Sequence, residues 1–445
     1  MKKVVILAYD FPPFVSVGGL RPYAWFKYFN QFDIYPIVIT RQWQNKYGNE
    51  LDYISEGTSN SNILEEYEYG KIIRTPYKPN LSNRLLLKYG KNKFRIIRKL
   101  ISGYFEFAQF ILPIGPKKKI YYAAENFISN EKIDIVIATG DPFILFNYAN
   151  RLSKKFNIPW IADYRDPWSQ DMSLHNKYLF KKWSHYNEKK NLNNVDSVTT
   201  VSQFVADKIA SNYTKNQIQI IPNGFDPEII KRISKITQNS DKLTISYAGT
   251  IYNWHPIEIF FNSLDQFIKR NSEVELSLNF YGINNQKEIQ DILMKYPDAK
   301  SCVQFYRRIP NEELLTKLAE SHVLLLFNYY SFMGTKIYDY LGLRRKILFC
   351  FTDDENALKL KDKYYNIDEG ANANKELQSD LIKESNSGVL VKNADNLKDV
   401  LVDLISEFNQ TRSIKCESQK IARFSREFRV KELADLIRKT ISSQS

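Results

Sequence analysis

The chain has 445 residues, 43% of them apolar and 25% charged, which is the composition of a soluble globular protein. This length exceeds one ordinary hydrophobic core, so we expect two domains. The net charge of +13 favours anionic partners, and no segment approaches the ~18 apolar residues of a membrane-spanning helix, so any membrane contact should be peripheral. Three widely spaced cysteines predict reduced thiols in a cytoplasmic protein rather than a disulfide framework or a paired-cysteine metal site.

The N-terminal part alternates predicted strands and helices. Val4–Ala8 predicts a first strand, a loop with Gly18 and Gly19 follows, and a helix over about 21–29 leads to a second strand at Ile37–Thr40. This order indicates a parallel sheet that binds its ligand at the carboxyl ends of the strands. The glycine pair alone is weak support, because a tight turn also explains it.

The segment Arg84–Lys119 is basic and rich in aromatic residues. It holds ten Lys or Arg, one acidic residue and six aromatic residues, with apolar and basic side chains on different helical faces. This pattern is typical of a helix that lies on an anionic membrane surface, and a core-packing helix with a solvated basic face explains it equally well. Nucleic acid is not an expected partner, because no aromatic–basic RNA-binding signature or zinc spacing accompanies the segment.

Two further strands end close to acidic residues. Ile133–Thr139 and Pro159–Asp163 should lie side by side, and the carboxyl ends of parallel strands share one sheet edge. The charged residues expected at this edge are Asp10, Asp141, Arg165 and Asp166. An alternative is that Asp166 only caps a helix. Other predicted strands of this half are a pair within Ile63–Tyr77, then Val198–Val201, followed by a helix capped by Ser202, and Ile218–Ile221.

The C-terminal half repeats the strand–helix alternation. The polar segment 229–241 predicts a linker, Asn311 a helix cap, and Ser418–Ile441 a pair of helices. The predicted strands are Leu243–Tyr247, Leu276–Tyr281, Val303–Tyr306, Val323–Phe327, Lys346–Phe351 and Gly388–Val391. Together the two halves predict an α/β protein with two doubly wound domains that face each other across a ligand-binding cleft.

The stretch from Val323 to Asp339 indicates a phosphate site. An apolar strand runs into a turn with Gly334 and Thr335, and Lys336 opens the next helix. A helix N-terminus offers unpaired N–H groups and the positive end of a dipole, and the lysine adds a full charge. Asp339, one turn later, could accept hydrogen bonds from ribose hydroxyls. An ordinary strand–loop–helix connection is the plainer interpretation.

Five segments together resemble the family-4 (group 1) glycosyltransferases of the GT-B fold, over nearly the whole chain. They are the loop ending at Gly18-Gly19, ADYRDPW (162–168), TVS (200–202) with IPNGFD (221–226), SYAGTIY (246–252) and TKIYDYLGLRRKILF (335–349). The resemblance implies an acceptor-binding domain over 1–228, a nucleotide-sugar-binding domain over 240–415, and C-terminal helices over 416–445 that return to the first domain.

The resemblance also implies roles for single residues. The expected donor-binding residues are Gly18, Gly19, Gly249, Thr250, Gly334, Thr335, Lys336 and Asp339, and we add Arg307 as a hypothesis of our own. The expected catalytic residues are Asp141, Arg165 and Asp166. Neither a metal nor another cofactor is expected, since a helix dipole and cations can stabilise a diphosphate leaving group.

Three positions depart from the family pattern. Many members carry an Arg and a Lys shortly after Gly249, whereas this chain reads GTIYNWHP; Arg307 is a hypothetical substitute. Ser331 stands where many members have a glutamate, and Asp339 where they have a second one.

The four histidines show no metal spacing, and we expect packing or surface roles for them, with His255 a possible exception because of its loop.

The predicted function is a retaining, metal-independent transfer of a sugar from a nucleotide-sugar to a lipid-linked or saccharide acceptor in cell-surface polysaccharide synthesis. The enzyme would be cytoplasmic, at the inner face of the membrane, with 84–119 on the anionic surface. The alternatives are a nucleotide-sugar epimerase of the same architecture and a non-catalytic homologue that binds nucleotide or membrane.

Overall fold

A computed structural model of the chain describes residues 1–44, 50–170, 178–213, 218–370 and 373–443. These residues form two compact units, the first made of Met1–Asn223 with Arg426–Ser445 and the second of Gly224–Ser425. Each unit is built around one largely parallel sheet, so the predicted pair of doubly wound α/β sheets is confirmed. His175, which we expected to have a packing or surface role, lies outside the described residues.

The first unit contains an eight-stranded sheet in the order β3-β4-β2-β1-β5-β6-β7-β8. Its strands are β1 (Lys2–Leu7), β2 (Ile34–Arg41), β3 (Ile63–Tyr67), β4 (Gly70–Thr75), β5 (Ile135–Gly140), β6 (Trp160–Tyr164), β7 (Ser197–Thr200) and β8 (Gln219–Ile220). Neighbouring strands are parallel except β3 and β4, which form the strand pair predicted within Ile63–Tyr77. The central strands β1 and β5 are buried along most of their length, as expected for a sheet covered on both faces.

Helices of the first unit come from both ends of the chain. They are α1 (Val17–Tyr28), α2 (Glu50–Tyr53), α3 (Leu81–Tyr89), α4 (Arg95–Ala108), α5 (Lys118–Asn130), α6 (Ile144–Phe156), α7 (Tyr178–Leu192), α8 (Gln203–Ala210) and α18 (Arg426–Ser442), with a 3₁₀ turn at Phe29–Phe32. Ser202 caps α8 as predicted, since its side chain accepts a hydrogen bond from the N–H of Val205. Helix α18 packs its apolar face into the core that contains Val4 and Ile6.

The second unit contains a six-stranded parallel sheet in the order β11-β10-β9-β12-β13-β14. Its strands are β9 (Leu243–Ala248), β10 (Leu276–Tyr281), β11 (Val303–Tyr306), β12 (Val323–Phe327), β13 (Lys346–Cys350) and β14 (Gly388–Val391). Its helices are α9 (Pro227–Ile233), α10 (Ile257–Arg270), α11 (Gln286–Leu293), α12 (Pro297–Lys300), α13 (Asn311–Ala319), α14 (Lys336–Leu343), α15 (Glu355–Tyr364), α16 (Leu377–Ser385) and α17 (Ala394–Thr411), with a 3₁₀ turn at Ile421–Phe424. None of the helices in the described part of the chain has the length and apolar character needed to cross a membrane.

Three sequence-based expectations are wrong. Part of the predicted linker 229–241 belongs to α9, because the Asp226 side chain caps that helix. Asn311 is the first residue of α13 rather than its cap, and Pro310 occupies the cap position without a side-chain hydrogen bond. The segment Ser418–Ile441 forms one 3₁₀ turn and the single helix α18 instead of a helix pair.

The order of strands reverses once within each sheet. In the first unit the chain proceeds outwards from β1 in one direction and from its neighbour β5 in the other. In the second unit β9 and β12 are the corresponding neighbours. The carboxyl ends of strands at such a reversal diverge into crevices where α/β proteins bind ligands, so these two strand pairs locate the candidate sites.

Candidate functional site

In the second unit, Gly249 and Lys336 meet at the reversal between β9 and β12. Gly249 directly follows β9 and has a φ of 88°, a conformation that favours glycine. A Cβ atom added to Gly249 would lie 3.6 Å from Cε of Lys336, the first residue of α14. The turn after β9 therefore packs directly on the lysine that the sequence places at the helix start.

Lys336 combines a positive charge with burial. The residue as a whole is half-buried, and its Nζ is buried without a hydrogen-bond partner, 3.7 Å from the centre of the Tyr247 ring. Burial holds the pKa of Lys336 well below its ordinary value. Because a desolvated ammonium group is unfavourable without an anion, and a cation–π contact offsets only part of that cost, the site is suited to an anionic ligand.

The N-terminus of α14 lies at the same strand end. Thr335 occupies the cap position and its side chain makes no cap hydrogen bond. The first N–H groups of a helix and its positive dipole end favour a phosphate. Gly334 precedes the cap, and Asp339 is half-buried in the first turn of the helix. Thr250 is exposed, and its carbonyl accepts a hydrogen bond from the Tyr247 hydroxyl.

His255 joins this group, although the sequence placed it only as a possible exception among packing histidines. Its Nδ1 accepts a hydrogen bond from the backbone N–H of Tyr252 at 3.3 Å, so the proton of the neutral ring lies on Nε2. Nε2 is buried without a partner, and the ring centre lies 5.0 Å from that of Tyr329. Burial, with a further contribution from Lys336, holds the pKa of His255 well below 6.5. His255 thus presents a neutral, unpaired donor close to Lys336.

Arg307 lies at a different place in the second unit. It follows β11, two strands away from β9, and is exposed. It lines a polar cavity of about 450 Å³ that is bounded by β10, β11 and α13. Neither Gly249 nor Lys336 lines that cavity. The structure therefore associates Arg307 with a polar pocket near the sheet edge and not with the contacts around Lys336.

In the first unit, the predicted Gly18, Asp141 and Arg165 come together at the reversal between β1 and β5. The Arg165 guanidinium donates hydrogen bonds to the carbonyls of Gly140 and Asp141, each at 2.7 Å. A Cβ atom on Gly18 would lie 1.8 Å from Arg165 Nη1 and 2.7 Å from Asp10 Oδ2. Only glycine leaves room for the guanidinium at this position.

Asp10 is the buried carboxyl of this cluster. Ser16 Oγ donates to its Oδ2 at 2.6 Å, while Oδ1 is buried without a partner. Burial raises the pKa of Asp10 above its ordinary value, against the opposing effects of Ser16 and Arg165. Such a carboxyl can hold or exchange a proton closer to neutral pH than an exposed aspartate does.

The remaining predicted residues of the first unit surround this cluster. The side chains of Asp141 and Asp166 are exposed. Gly19 lies against the backbone that follows Asp10, and a Cβ atom there would approach the Phe11 nitrogen to 3.3 Å. The edge of the sheet thus combines one buried carboxyl, one anchored guanidinium and two exposed carboxylates.

Most of the first unit matches the sequence profile of a known protein family. Residues 38–229 match the sequence profile of Glycosyltransferase Family 4. Over this segment the chain is similar to that family. The matched segment includes the predicted catalytic residues Asp141, Arg165 and Asp166. A separate search found no curated protein that matches the chain.

Three solved structures share the fold. Sucrose-phosphate synthase from Thermosynechococcus elongatus is 14% identical, with a TM-score of 0.60 and 100% of both chains covered. A glycosyltransferase from Rickettsia africae is 12% identical, with a TM-score of 0.56 and 99% of this chain and 98% of the other covered. An E. coli structure described as trehalose-6-phosphate bound with UDP-2-fluoro glucose is 11% identical, with a TM-score of 0.52 and 99% and 96% covered. The fold of this chain is therefore GT-B.

A buried ion pair that the sequence did not reveal positions α1. Asp163 is fully buried in β6 and accepts hydrogen bonds from Arg21 of α1, at 2.7 Å, and from Thr139 and Thr199. Arg21 also donates to the carbonyl of Ile221 at 2.7 Å. The helix that begins at the glycine pair is therefore tied to β5, β6 and β7. An aspartate within the apolar strand WIADY is the signal that could have revealed it.

The sequence did not reveal Glu369, which supports the loop before α14. Ser331, the position where the sequence resemblance led us to expect a glutamate, is fully buried. Its backbone N–H donates to Glu369 Oε1 at 3.3 Å, and Glu369 pairs with Lys361 at 2.8 Å. The Glu369 carboxylate, 38 positions away in the sequence, thus lies beside Ser331, where we expected a glutamate.

Proposed function

We propose that this protein is a glycosyltransferase that binds a nucleotide-sugar donor through its second unit and transfers the sugar to a lipid-linked or saccharide acceptor bound by its first unit. One observation carries the donor assignment: the buried, unpaired Nζ of Lys336, beside Gly249 and at the N-terminus of α14. An ammonium group and a helix N-terminus suit a diphosphate. The solved structure bound with UDP-2-fluoro glucose supports this ligand class.

The proposed chemistry is transfer with retention of configuration and without a metal ion. Breaking the bond between the sugar and the diphosphate builds negative charge on the leaving group. Lys336 and the N–H groups of α14 are already positioned, so they stabilise this charge without reorganisation. Asp339, within the first turn of the same helix, is the proposed partner of the ribose hydroxyls.

The acceptor is assigned to the cluster of the first unit. Asp10 is the carboxyl with the raised pKa, and Arg165 is held in place by two backbone carbonyls. Asp141 and Asp166 are exposed and can accept hydrogen bonds from acceptor hydroxyls. We place this reaction in cell-surface polysaccharide synthesis, where acceptors are saccharides or lipid-linked saccharides.

The segment 84–119 is the proposed contact with an anionic membrane at its inner face. None of the residues of α4 is buried, and Ile96 and Leu100 are 75% and 69% exposed. A core-packing role does not account for apolar side chains that contact water. Basic residues along the same segment favour anionic headgroups as the covering surface.

The test of the donor assignment is release of nucleoside diphosphate from a panel of nucleotide-sugars, with and without EDTA. We expect release from one donor, unchanged by EDTA, and a loss of about 100-fold or more in Lys336→Met, because the variant lacks the stabilising charge. Lys346→Met is the matched control, since Lys346 lies on β13 in the same unit and pairs with Glu407. Donor binding without any release would favour a non-catalytic homologue, and unchanged donor affinity in both Lys336→Ala and Arg307→Ala would overturn the assignment.

A further inference from the structure

Helix α7, which lies outside 84–119, packs directly on α4. The Phe107 ring of α4 lies 5.1 Å from the Phe180 ring and 5.4 Å from the Trp183 ring of α7. Gly103 of α4 also lies beside α7, since a Cβ atom there would be in ordinary contact with Phe180 at 3.7 Å. The two helices therefore form one continuous surface.

Large apolar side chains on both helices flank this contact and are exposed. We define them as the α4–α7 face: Ile96 (75% exposed), Leu100 (69%), Tyr104 (62%), Tyr178 (65%), Leu179 (71%) and Tyr186 (54%). Soluble proteins seldom leave so many large apolar side chains in contact with water within one region unless another surface covers them.

The charges around the α4–α7 face identify the covering surface as anionic. The exposed charged residues of α7 are lysines, Lys182, Lys189 and Lys190, whereas its one acidic residue, Glu188, is fully buried. Lys182 Nζ lies 4.4 Å from the centre of the Tyr178 ring. Aromatic side chains next to lysines are typical of segments that lie at the headgroup level of an anionic bilayer.

Glu188 connects α7 to the segment that carries Arg165 and Asp166. Its carboxylate accepts hydrogen bonds from the hydroxyl of Tyr164 at 3.0 Å, from Gln170 at 3.2 Å and from the hydroxyl of Ser169. Asn212 donates to the same carboxylate at 2.8 Å. Because Tyr164, Ser169 and Gln170 all donate to this one buried carboxylate, α7 and the 164–170 segment are fixed relative to each other.

The region after α4 reaches the same segment by a separate route. The Phe110 ring stacks on the Trp168 ring at 5.4 Å and 25°. Trp168 stacks in turn on Phe143, which lies just before α6, at 5.0 Å and 4°. Both halves of the α4–α7 face are thus anchored to the residues that follow β6.

We propose that α4 and α7 form a single docking surface for an anionic lipid bilayer, and that Glu188 and Trp168 link this surface to the Arg165–Asp166 segment. The inference rests on the proposed membrane contact of 84–119 and extends it to a helix outside that segment. Docking would then bring the acceptor-binding cluster to the membrane, which suits an acceptor with a lipid anchor.

The test is flotation of the full-length protein with vesicles of phosphatidylcholine containing about 30% phosphatidylserine. We expect wild-type protein to float at low salt and to float less as salt increases, because Debye screening weakens the lysine contacts. Tyr178→Ser/Leu179→Ser should lower the vesicle partition coefficient by about tenfold or more, from the lost burial of two apolar side chains. The matched control is Val402→Ser on α17, where a residue 53% exposed lies far from this face in the sequence and in the other unit.

The outcomes separate this inference from the membrane proposal itself. If Ile96→Ser/Leu100→Ser loses binding and Tyr178→Ser/Leu179→Ser floats like the wild type, α7 is not part of the surface and the inference is overturned, while contact through 84–119 stands. If the wild type does not float at low salt, both fail, and donor release still tests the transferase activity separately. If Tyr178→Ser/Leu179→Ser does not fold, Lys181→Glu/Lys182→Glu on α7 replaces it. That variant must also reduce flotation, or the inference is overturned. Self-association of the wild type without lipid that disappears in the Tyr178→Ser/Leu179→Ser variant would assign the face to a second copy and overturn the inference.

Discussion

At the scale of single residues, the proposed donor site depends on buried polar atoms and on where they lie. Lys336 Nζ and His255 Nε2 are both buried without partners near the carboxyl ends of β9 and β12. His322 shares these properties, since its Nδ1 accepts from the N–H of Thr244 and its Nε2 is unpaired, but it lies at the amino end of β12. Ligands bind at the carboxyl ends of parallel strands, so position distinguishes the two histidines.

Replacing Lys336 should stabilise the protein and abolish ligand binding. Burial lowers the folded-state pKa of Lys336 below its ordinary value of 10.5. Between these values the unfolded chain binds more protons, so the free energy of unfolding of the wild type rises with pH across that window. Lys336→Met removes this slope and the cost of an unpaired buried charge, and we expect a gain of about 1–3 kcal/mol at pH 7. Urea unfolding at pH 7 and pH 9.5 measures both effects.

The same variant should lose the thermal stabilisation that a nucleoside diphosphate gives the wild type. A panel of nucleoside diphosphates in a thermal-shift assay tests this, with Lys346→Met as a control that keeps the shift. A Lys336→Met protein that is no more stable than the wild type, and that a nucleoside diphosphate still stabilises, would contradict the assigned role.

His255→Ala should weaken donor binding, whereas His322→Ala should not. The Nε2–H of His255 is a neutral donor next to Lys336, and loss of a hydrogen bond to a charged ligand costs about 1.5–3 kcal/mol, or roughly 10- to 100-fold in affinity. Both substitutions remove a buried imidazole, so their effects on stability should be similar. Isothermal calorimetry with the released nucleoside diphosphate measures the affinities, and equal affinities in the two variants would exclude a role for His255 at the site.

At the scale of elements, local sequence patterns predict where strands and helices lie, but they do not predict contacts between residues that are distant in the sequence. The sequence predicts the strands of both sheets to within a few residues, because buried parallel strands are short apolar runs bounded by turns. The β12–loop–α14 element is also local, so its glycine, lysine and aspartate are predictable. The Arg21–Asp163 pair and the Glu369–Ser331 contact join residues 142 and 38 positions apart, and no local pattern reveals such pairs.

The loop between β1 and α1 provides an element-scale prediction. Gly18→Ala would place a Cβ atom 1.8 Å from Arg165 Nη1, so the guanidinium must leave its two carbonyl partners. We expect sugar transfer to fall by about 10- to 100-fold, while nucleoside diphosphate binding by the second unit is unchanged.

The control for this prediction is Gly103→Ala. That glycine lies within α4, where an added Cβ would meet only Phe180 at an ordinary 3.7 Å. An alanine in a helix interior is favourable by about 1 kcal/mol relative to glycine. If Gly18→Ala transfers sugar as fast as Gly103→Ala, the fixed position of Arg165 is not required for the reaction.

At the scale of the whole molecule, each unit has its own sheet, its own strand reversal and its own core. The sequence predicts the two series, since each shows the strand–helix alternation. The sequence does not reveal that the C-terminal helix α18 contributes to the core of the first unit. Four apolar residues of α18 are buried with residues of β1 and α1, more than 400 positions earlier in the sequence: Val430, Leu433, Ala434 and Ile437. The amphipathic pattern of α18 indicates a buried face but not what covers it.

Membership of these cores predicts which unit a substitution destabilises. Leu433 is fully buried in the core of the first unit and Leu401 in that of the second. A Leu→Ala change at either site should lower the free energy of unfolding by about 2–5 kcal/mol.

Five of the six tryptophans lie in the first unit, so tryptophan fluorescence reports mainly on it, while far-UV circular dichroism reports on both units. In urea, Leu433→Ala should shift the fluorescence transition to lower concentration, and Leu401→Ala should shift the dichroism transition and leave fluorescence largely unchanged. Equal shifts of both signals in both variants would mean that the two cores unfold as one cooperative structure.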